Sequence, residues 1–226
     1  MPAKPGAPAR GAPARELILD AAERLFARRG FAATTIKQIA AAAGVNSALL
    51  YYYFRDKAAV YHAVLERRVQ ALVRGAVERL EAAGPPAARL RSFLEFQAET
   101  LASHPHLWPL MLRELVDHSA RHVVGQLHLV NTAVFRRICA LVEEGQRSGA
   151  FRAELDPRFA AISCVALILH FFTARPVVGV FLGYTTDGPP EDVIRAYARH
   201  AADLALAALA GPRPVPAGPR RKAARP

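Results

Sequence analysis

The sequence predicts an all-α protein with a small N-terminal three-helix head and a larger C-terminal helical bundle, about nine helices in all. Apolar residues recur at helical spacing in each segment between Pro/Gly-rich breaks, and no segment has the strict alternation of a β-strand. With 226 residues and 52% hydrophobic content, the chain can form both a head and a sizeable core. We expect residues 14–72 to form the head and residues 73–210 to form the bundle.

The net charge of +11 is concentrated at the two ends of the chain. Residues 1–72 hold eleven basic and five acidic residues, residues 211–226 hold five basic and no acidic ones, and residues 73–210 are balanced. Residues 1–13 and 211–226 are also rich in Pro, Ala and Gly, so we expect a disordered basic arm and a disordered basic tail. Because basic surfaces attract phosphate backbones, the head and its arm are expected to bind DNA. The simpler interpretation of the tail is a solubilising end.

Residues 35–54 have the pattern of two short helices joined by a sharp turn. Thr34 or Thr35 can cap the first helix, because a hydroxyl accepts a hydrogen bond from an unpaired amide of the opening turn. The apolar face of that helix consists of Ile36, Ile39, Ala40 and Ala43. Gly44 follows where the helix end needs left-handed backbone, which glycine adopts without steric strain. This pattern predicts a helix-turn-helix.

The second helix, capped by Asn46 or Ser47, contains three consecutive tyrosines, Tyr51, Tyr52 and Tyr53. Neighbouring residues of a helix point about 100° apart, so three adjacent rings cannot all enter one core and at least one must be exposed. In a helix-turn-helix the second helix enters the major groove, while capping residues and hydroxyls bind phosphates. The exposed face of this helix is therefore predicted to contact a double-stranded DNA operator.

Further motifs stand at fixed offsets around this unit. They are residues 15–26 (RELILDAAERLF), Gly30-Phe31, Thr34-Thr35-Ile36, Ile39-Ala40, Ala43-Gly44-Val45, Leu50-Tyr51-Tyr52-Tyr53-Phe54 and Lys57. Through these motifs residues 15–65 resemble the N-terminal domain of TetR/AcrR-family transcriptional regulators. Together with the helix-turn-helix pattern, the resemblance implies a DNA-contacting set: Thr34, Thr35, Lys37, Asn46, Ser47, Ala48, Tyr51, Tyr52, Tyr53 and Lys57, of which Lys57 binds phosphate. Ala48, where the family often has glycine or a polar residue, and Tyr53, where histidine is common, leave the base preference open.

Breaks in the sequence bound the other helices. The predicted helices outside the helix-turn-helix are 14–29, 57–82, 87–103, 106–118, 120–148, one that opens at Asp156-Pro157 and one that opens at Pro189-Pro190. Proline suits the first turn of a helix, which supports the last two starts. The long helix at 57–82 is expected to link the head to the body.

The segment from Phe159 to Phe172 is apolar nearly all the way round. A helix without a solvated face must be covered on every side, and one body domain can cover only one side. We therefore infer a two-fold homodimer in which this helix and the last one of each copy form a four-helix bundle, as the resemblance also implies. The alternative is a buried central helix in a monomer. The interface is expected to contain Ile168, Phe172, Ile194, Tyr197, Ala201, Leu204 and Ala208.

The resemblance implies that the body holds a small-molecule effector, usually an apolar or aromatic one. The candidate pocket residues are Phe93, Phe96, Trp108, Met111, Phe135, His170 and Phe171, for each of which plain core is the alternative. Trp108, Met111 and His170 are favoured, because an indole N–H or an imidazole in an apolar bundle needs a polar partner. A bound ligand would tilt the long helix and change the distance between the two heads, so that they release the operator. The expected function is a ligand-responsive repressor.

No catalytic constellation is present. The sequence lacks a Gly-rich phosphate loop with Lys-Ser/Thr, a His-Glu-x-x-His motif, a Gly-x-Ser-x-Gly motif and a paired-cysteine motif. We therefore expect neither enzyme activity nor a cofactor. The alternative function is a helical binding module or enzyme that contains a helix-turn-helix-like corner and has no DNA role.

Metal, redox and membrane roles are not expected either. His118 and His122 are spaced to chelate on one helix, but no third ligand lies near them in sequence, so helix surface is the favoured interpretation. Cys139 and Cys164, each among apolar neighbours, imply buried thiols and a reducing cytoplasm. The first residues do not have the pattern of a signal peptide, and the apolar stretch between Arg158 and Arg175 is interrupted by polar residues and is too short to span a membrane.

Overall fold

The computed structural model describes residues 14–104, Leu112, 128–184 and 189–210. Within these residues the chain forms nine α-helices and no β-strand. The helices are α1 (Ala14–Arg29), α2 (Ile36–Ala43), α3 (Ser47–Tyr53), α4 (Lys57–Leu80), α5 (Pro86–Ser103), α6 (Arg136–Arg147), α7 (Pro157–Thr173), α8 (Arg175–Phe181) and α9 (Glu191–Leu209). One turn of π-helix, Asn131–Phe135, leads into α6. The predicted all-α class is confirmed.

Most predicted helix bounds agree closely with the described ones. The helix predicted at 14–29 has these bounds, and the helix predicted at 57–82 ends at Leu80. Apart from Leu112, the predicted helix at 106–118 lies outside the described residues, as do the start of the one at 120–148, the arm at 1–13 and the tail at 211–226.

The short helix α8 was not predicted. Pro176 is its second residue, and α8 leaves α7 at an angle of 78°. Proline cannot continue a preceding helix, because it lacks an N–H group and its ring clashes with the previous turn, yet it suits the first turn of a new helix. Pro176 was therefore a sequence signal for this break.

Two hydrophobic cores share helix α4. Val60, Val64 and Leu65 pack with α1, α2 and α3 in the head, whereas Val73 and Ala76 pack with α5, α6, α7 and α9 in the body. One continuous helix therefore connects the two cores, with no loop between them.

Arg89 of α5 holds the C-terminal end of α4. Its Nε donates to the carbonyl of Leu80 at 2.9 Å, and its Nη1 forms an ion pair with Glu144 Oε2 of α6 at 2.9 Å. These bonds hold the last turn of α4 against two body helices, α5 and α6.

Within the described parts of the chain, no single helix is both long and apolar enough to cross a membrane. The pair α7 and α8 reaches the required length and composition only when the two are counted together across their 78° bend.

Candidate nucleic-acid interface and internal cavity

Short-range hydrogen bonds fix the start and end of α2. Thr35 Oγ1 accepts from the amide of Gln38 at 3.3 Å, and Gln38 Oε1 accepts from the amide of Thr35 at 3.0 Å. This reciprocal capping box satisfies two amides that the helix leaves unpaired. At the other end Gly44 has φ 69°, as the turn requires, and the amide of Val45 donates to Ala40 O at 3.0 Å. The predicted left-handed glycine is confirmed, and Thr35 rather than Thr34 is the cap.

Thr34 is buried and does not reach the surface. Its hydroxyl donates to the carbonyl of Gly30 at 2.8 Å, and its amide donates to Phe31 O at 3.3 Å. Thr34 therefore stabilises the turn between α1 and α2, and the expectation that it contacts DNA is wrong for this conformation. The sequence offered two adjacent threonines with the same capping chemistry and did not distinguish the one that points into the core.

Helix α3 presents one polar, aromatic face to solvent. Asn46 caps it, with Oδ1 accepting from the amide of Leu49 at 2.7 Å. Helical spacing groups the outward residues as two pairs four residues apart, Ser47 with Tyr51 and Ala48 with Tyr52. Leu50 points inward and is fully buried.

All three tyrosines of α3 are exposed. The exposed fraction is 56% for Tyr51, 80% for Tyr52 and 39% for Tyr53. Tyr53 is the least exposed because it follows the buried Leu50 by three residues and so lies nearest to the core. Its ring packs edge-to-face on that of Tyr52, with a centroid separation of 5.1 Å. The prediction that at least one ring must lie outside the core is confirmed.

A surface depression of about 410 Å³ lies where α2, α3 and α4 begin. The surface residues around it are Thr35, Ile36, Lys37, Ser47, Tyr51 and Lys57, above the buried Thr34. The depression thus combines the positive end of the α2 dipole with two lysines and the three hydroxyls of Thr35, Ser47 and Tyr51, which is a suitable environment for an anion.

Lys57 has a structural role as well as the phosphate contact that the family resemblance implies. Its Nζ donates to Phe31 O at 2.8 Å and to Ala32 O at 3.4 Å, and it lies 4.3 Å from the centroid of the Phe31 ring. An ammonium group has three donors, so one is left for a phosphate oxygen.

A network of ion pairs, not predicted from the sequence, joins α4 to α1. Glu23 of α1 is buried, and its Oε2 accepts from Arg67 Nη2 at 3.0 Å and from Arg68 Nε at 2.7 Å. Arg67 also pairs with Glu16 and Asp20, each at 2.8 Å. The three acids are spaced by four and three residues and so share one face of α1. This spacing was the sequence signal from which an ion-pair partner on another helix could have been predicted.

The body contains a cavity of about 400 Å³ beneath the C-terminal half of α4. Its lining residues are Arg68, Val69, Leu72 and Ala76 of α4, Phe93, Phe96, Gln97 and Leu101 of α5, Val130, Val134, Phe135 and Ile138 in and around the π-helical turn, and Ile162, Val165, Ala166 and Leu169 of α7. Apart from Arg68 and Gln97, the described lining residues are apolar. Three of the predicted pocket residues, Phe93, Phe96 and Phe135, lie on this wall.

The remaining predicted pocket residues do not line the described wall. Trp108 and Met111 lie outside the described residues. His170 is exposed on α7, and Phe171 is buried against Tyr197 of α9 with a ring separation of 4.1 Å. The expectation that His170 and Phe171 face the cavity is therefore wrong. Because α7 is apolar on all sides, the sequence pattern did not reveal which side faces the cavity.

Gln97 is the buried polar side chain on the cavity wall. The residue is 7% exposed, and its Oε1 has no hydrogen-bond partner among the described residues. The other polar lining residue, Arg68, donates its Nε to Glu23. The cavity wall therefore has one unpaired acceptor and one arginine that is already ion-paired.

Most of the predicted dimer residues are buried within a single chain. These are Ile168, Phe172, Ile194 and Ala201, which belong to the body core. Tyr197 is half-buried, and its hydroxyl donates to Leu167 O at 2.7 Å. The side chains of Ile168, Phe172, Ile194 and Ala201 are therefore not available at the surface of a single copy, and Tyr197 is only partly available.

Exposed apolar side chains lie on the outer surface of the same helices. Leu204 and Ala208 of the predicted set are exposed on α9. Further exposed apolar residues are Phe159 of α7, Val177, Val180 and Phe181 of α8, and Leu182. Ile162 of α7 is also exposed, although it lines the cavity. Phe181 is 81% exposed, which is unusual for a phenylalanine in a protein with a well-packed core.

Residues 18–64 match the family model of bacterial regulatory proteins of the tetR family, and residues 86–204 match the tetracyclin repressor-like C-terminal domain. The chain belongs to the TetR family. It is a DNA-binding regulator of transcription, and the TetR-type head spans α1, α2, α3 and the start of α4. The alternative of an enzyme or binding module without a DNA role is contradicted, because the matched domains and relatives are transcriptional regulators.

Known TetR-family members are similar over most of the chain. The repressor NicS of Pseudomonas putida is 27% identical over 74% of this chain and 80% of its own length. The repressor KstR2 of Rhodococcus jostii is 29% identical over 65% of this chain and 72% of its own. The crystal structure of the regulator PfmR from Thermus thermophilus superimposes with a TM-score of 0.69 and 25% identity, over 84% of this chain and 97% of that one.

Proposed function

We propose that the chain is a homodimeric cytoplasmic repressor that binds an operator through its two heads and releases it when a small apolar molecule fills the body cavity. The DNA contacts in this proposal come from exposed and half-buried residues at the start of α2, along α3 and at the start of α4. They are Thr35, Lys37, Asn46, Ser47, Ala48, Tyr51, Tyr52, Tyr53 and Lys57.

The regulatory part of the proposal depends on one observation: the Arg68 side chain contacts both the cavity and the head. Its side chain lines the cavity, and its Nε donates to Glu23 in the core of the head at 2.7 Å. Lys57 lies on the same helix at the DNA-facing depression, about 16 Å away along the axis at the usual rise per residue. A ligand that displaces α4 at Arg68 must therefore also move α1 and the start of α4, which supports a change in head position.

Exposed apolar surface supports the dimer. Val180 and Phe181 of α8, together with Phe159 of α7 and Leu204 of α9, leave large apolar side chains in water unless another surface covers them. A second copy supplies a matching surface through a two-fold axis, and two heads then read both halves of a near-palindromic operator. We accordingly propose that the interface lies on the outer faces of α7, α8 and α9. It does not include the residues of the predicted set that are buried within one chain.

A gel-shift titration tests the DNA-binding proposal. The purified chain is titrated against labelled duplexes that tile the region upstream of its own gene, at several salt concentrations. One or more duplexes should shift, and the affinity should fall steeply with salt because counterions are released from the phosphates. If no fragment binds more tightly than a scrambled duplex of the same length, the proposed operator near the gene is wrong.

A further inference from the structure

Gln97 lies in the middle of the apolar cavity wall. On α5 its neighbours one helical turn away are Phe93 and Leu101, and both also line the cavity. The Gln97 residue is 7% exposed, and its Oε1 accepts no hydrogen bond within the described part of the chain. An amide oxygen that is buried in apolar surroundings without a partner lowers stability, because it loses its bonds to water and gains none in exchange. A leucine of similar size would avoid that loss.

The other polar residue of the wall does not offer a free charge. The Nε of Arg68 donates to Glu23, which also accepts from Arg67. Arg67 in turn pairs with Glu16 and Asp20, and Arg15 also pairs with Glu16, so three arginines face three carboxylates in this cluster. The cluster therefore has no excess of positive charge that would attract an anionic ligand head group.

The size of the cavity sets the scale of the ligand. Its volume of about 400 Å³ is within the range of about 300–1,000 Å³ that is usual for sites of drug-sized molecules. Apolar side chains from four elements form the rest of the described wall, so most of the ligand surface must be apolar.

We propose that the effector is an uncharged, mainly apolar molecule with a hydroxyl group, and that this hydroxyl donates a hydrogen bond to Gln97 Oε1. This inference rests on the proposed function, in which the cavity holds the effector. Gln97 is then the residue that determines specificity. A hydroxyl-bearing ligand satisfies the buried amide, whereas an analogue without a donor leaves it unpaired and loses affinity.

Displacement of Nile red from the purified full chain tests the proposal with a matched set of ligands. The set consists of 4-hexylphenol, its methyl ether 4-hexylanisole, which cannot donate, and the 4-hexylbenzoate anion. The phenol should bind about tenfold more tightly than the ether, as expected for one buried hydrogen bond, and the anion should bind more weakly than the phenol. Equal affinities of phenol and ether would overturn the proposal.

The variant Gln97→Leu tests the residue itself. This variant should bind the ether as tightly as the phenol, whereas Glu99→Ala, on the exposed side of α5, should keep the tenfold preference. A preference that persists in Gln97→Leu would overturn the proposal. If Gln97→Leu does not fold, the wild-type comparison of phenol and ether still decides.

Operator binding is measured in parallel to separate the two proposals. If neither phenol nor ether displaces Nile red, the inference about the effector is overturned, while DNA binding by the same preparation still supports the regulator. If the phenol binds tenfold better but no operator is found, the inference holds and the DNA part of the proposed function fails.

Discussion

Arg68 Nε lies 2.7 Å from Glu23 Oε2, and this ion pair joins the wall of the body cavity to the core of the DNA-binding head. Glu23 is buried, so salt screens the attraction between the two charges less than it screens a surface ion pair.

Arg68→Met should lower the free energy of unfolding by about 1–3 kcal/mol, because it removes a charge-assisted hydrogen bond from the buried Glu23 carboxylate. A matched control is Arg91→Met, which removes the surface pair between Arg91 Nη2 and Asp203 Oδ1 at 2.6 Å and should cost less than about 1 kcal/mol. Urea unfolding at one fixed protein concentration measures both values. Equal losses would mean that the Arg68 pair does not hold the head to α4.

Tyr52→Phe should weaken binding to all duplexes alike, by about three- to tenfold, because it removes a hydroxyl that we assign to a phosphate contact. Tyr52 is 80% exposed, so the change should leave the thermal midpoint unaltered. Tyr184→Phe, which lies outside the DNA-binding head, is the control. Fluorescence anisotropy with specific and scrambled duplexes makes the comparison, and an unchanged affinity would argue against this docking of α3.

Lys57→Ala should reduce the slope of log affinity against log salt by about one unit, as expected when one phosphate contact is lost. The change also removes the hydrogen bonds to Phe31 O and Ala32 O, so a small loss of head stability is expected. The slope separates the two effects, because a purely structural role changes affinity without changing its salt dependence. An identical slope would exclude a phosphate contact at Lys57.

Leu204→Asp should convert the protein from a dimer to a monomer, because a carboxylate on an apolar interface must be desolvated without a partner. Leu204 is about half exposed in the single chain, so the monomer itself should tolerate the change. Phe181→Asp tests the contribution of α8 in the same way. Sedimentation velocity gives the mass, and a Leu204→Asp variant that still sediments as a dimer would move the interface away from α9.

Cys164 should react slowly with iodoacetamide at pH 8, because burial raises the pKa of its thiol from 9.0 to about 11. Mass spectrometry of the labelled native protein compares Cys164 with the half-buried Cys139, which should react first. Equal rates would show that Cys164 is accessible.

The raised pKa of Cys164 also makes the free energy of unfolding depend on pH. The stabilisation from keeping this buried thiol protonated is fully present below about pH 9 and is lost as the pH rises towards 11.

The head was predictable because its shape depends on chemistry between residues close in sequence. Gly44 adopts φ 69° for the same reason that makes glycine the usual residue at that turn, and Thr35 and Asn46 cap their helices through bonds that reach only three residues ahead. The exposed tyrosines followed from the 100° step of a helix. These signals do not depend on how the rest of the chain folds.

The features that were missed depend on packing between distant segments. The pairing of Glu23 with Arg68 and the isolation of Gln97 Oε1 arise only when helices far apart in sequence come together. Helix α7 is apolar on all sides, so the hydrophobic pattern could not show that Ile168 packs inside one chain while Phe159 faces outward. For the apolar side chains of α7, only the packing of the whole fold determines which ones point into the core.

The mass of the complex between the chain and a selected operator duplex tests the central claim most directly. The account predicts that light scattering will find two copies of the chain on each operator, one for each half-site. It also predicts that the affinity will fall with rising salt and with the Tyr52→Phe substitution. A selected duplex that carries a single chain, or that binds the Tyr52→Phe variant as tightly as the wild type at every salt concentration, would contradict it.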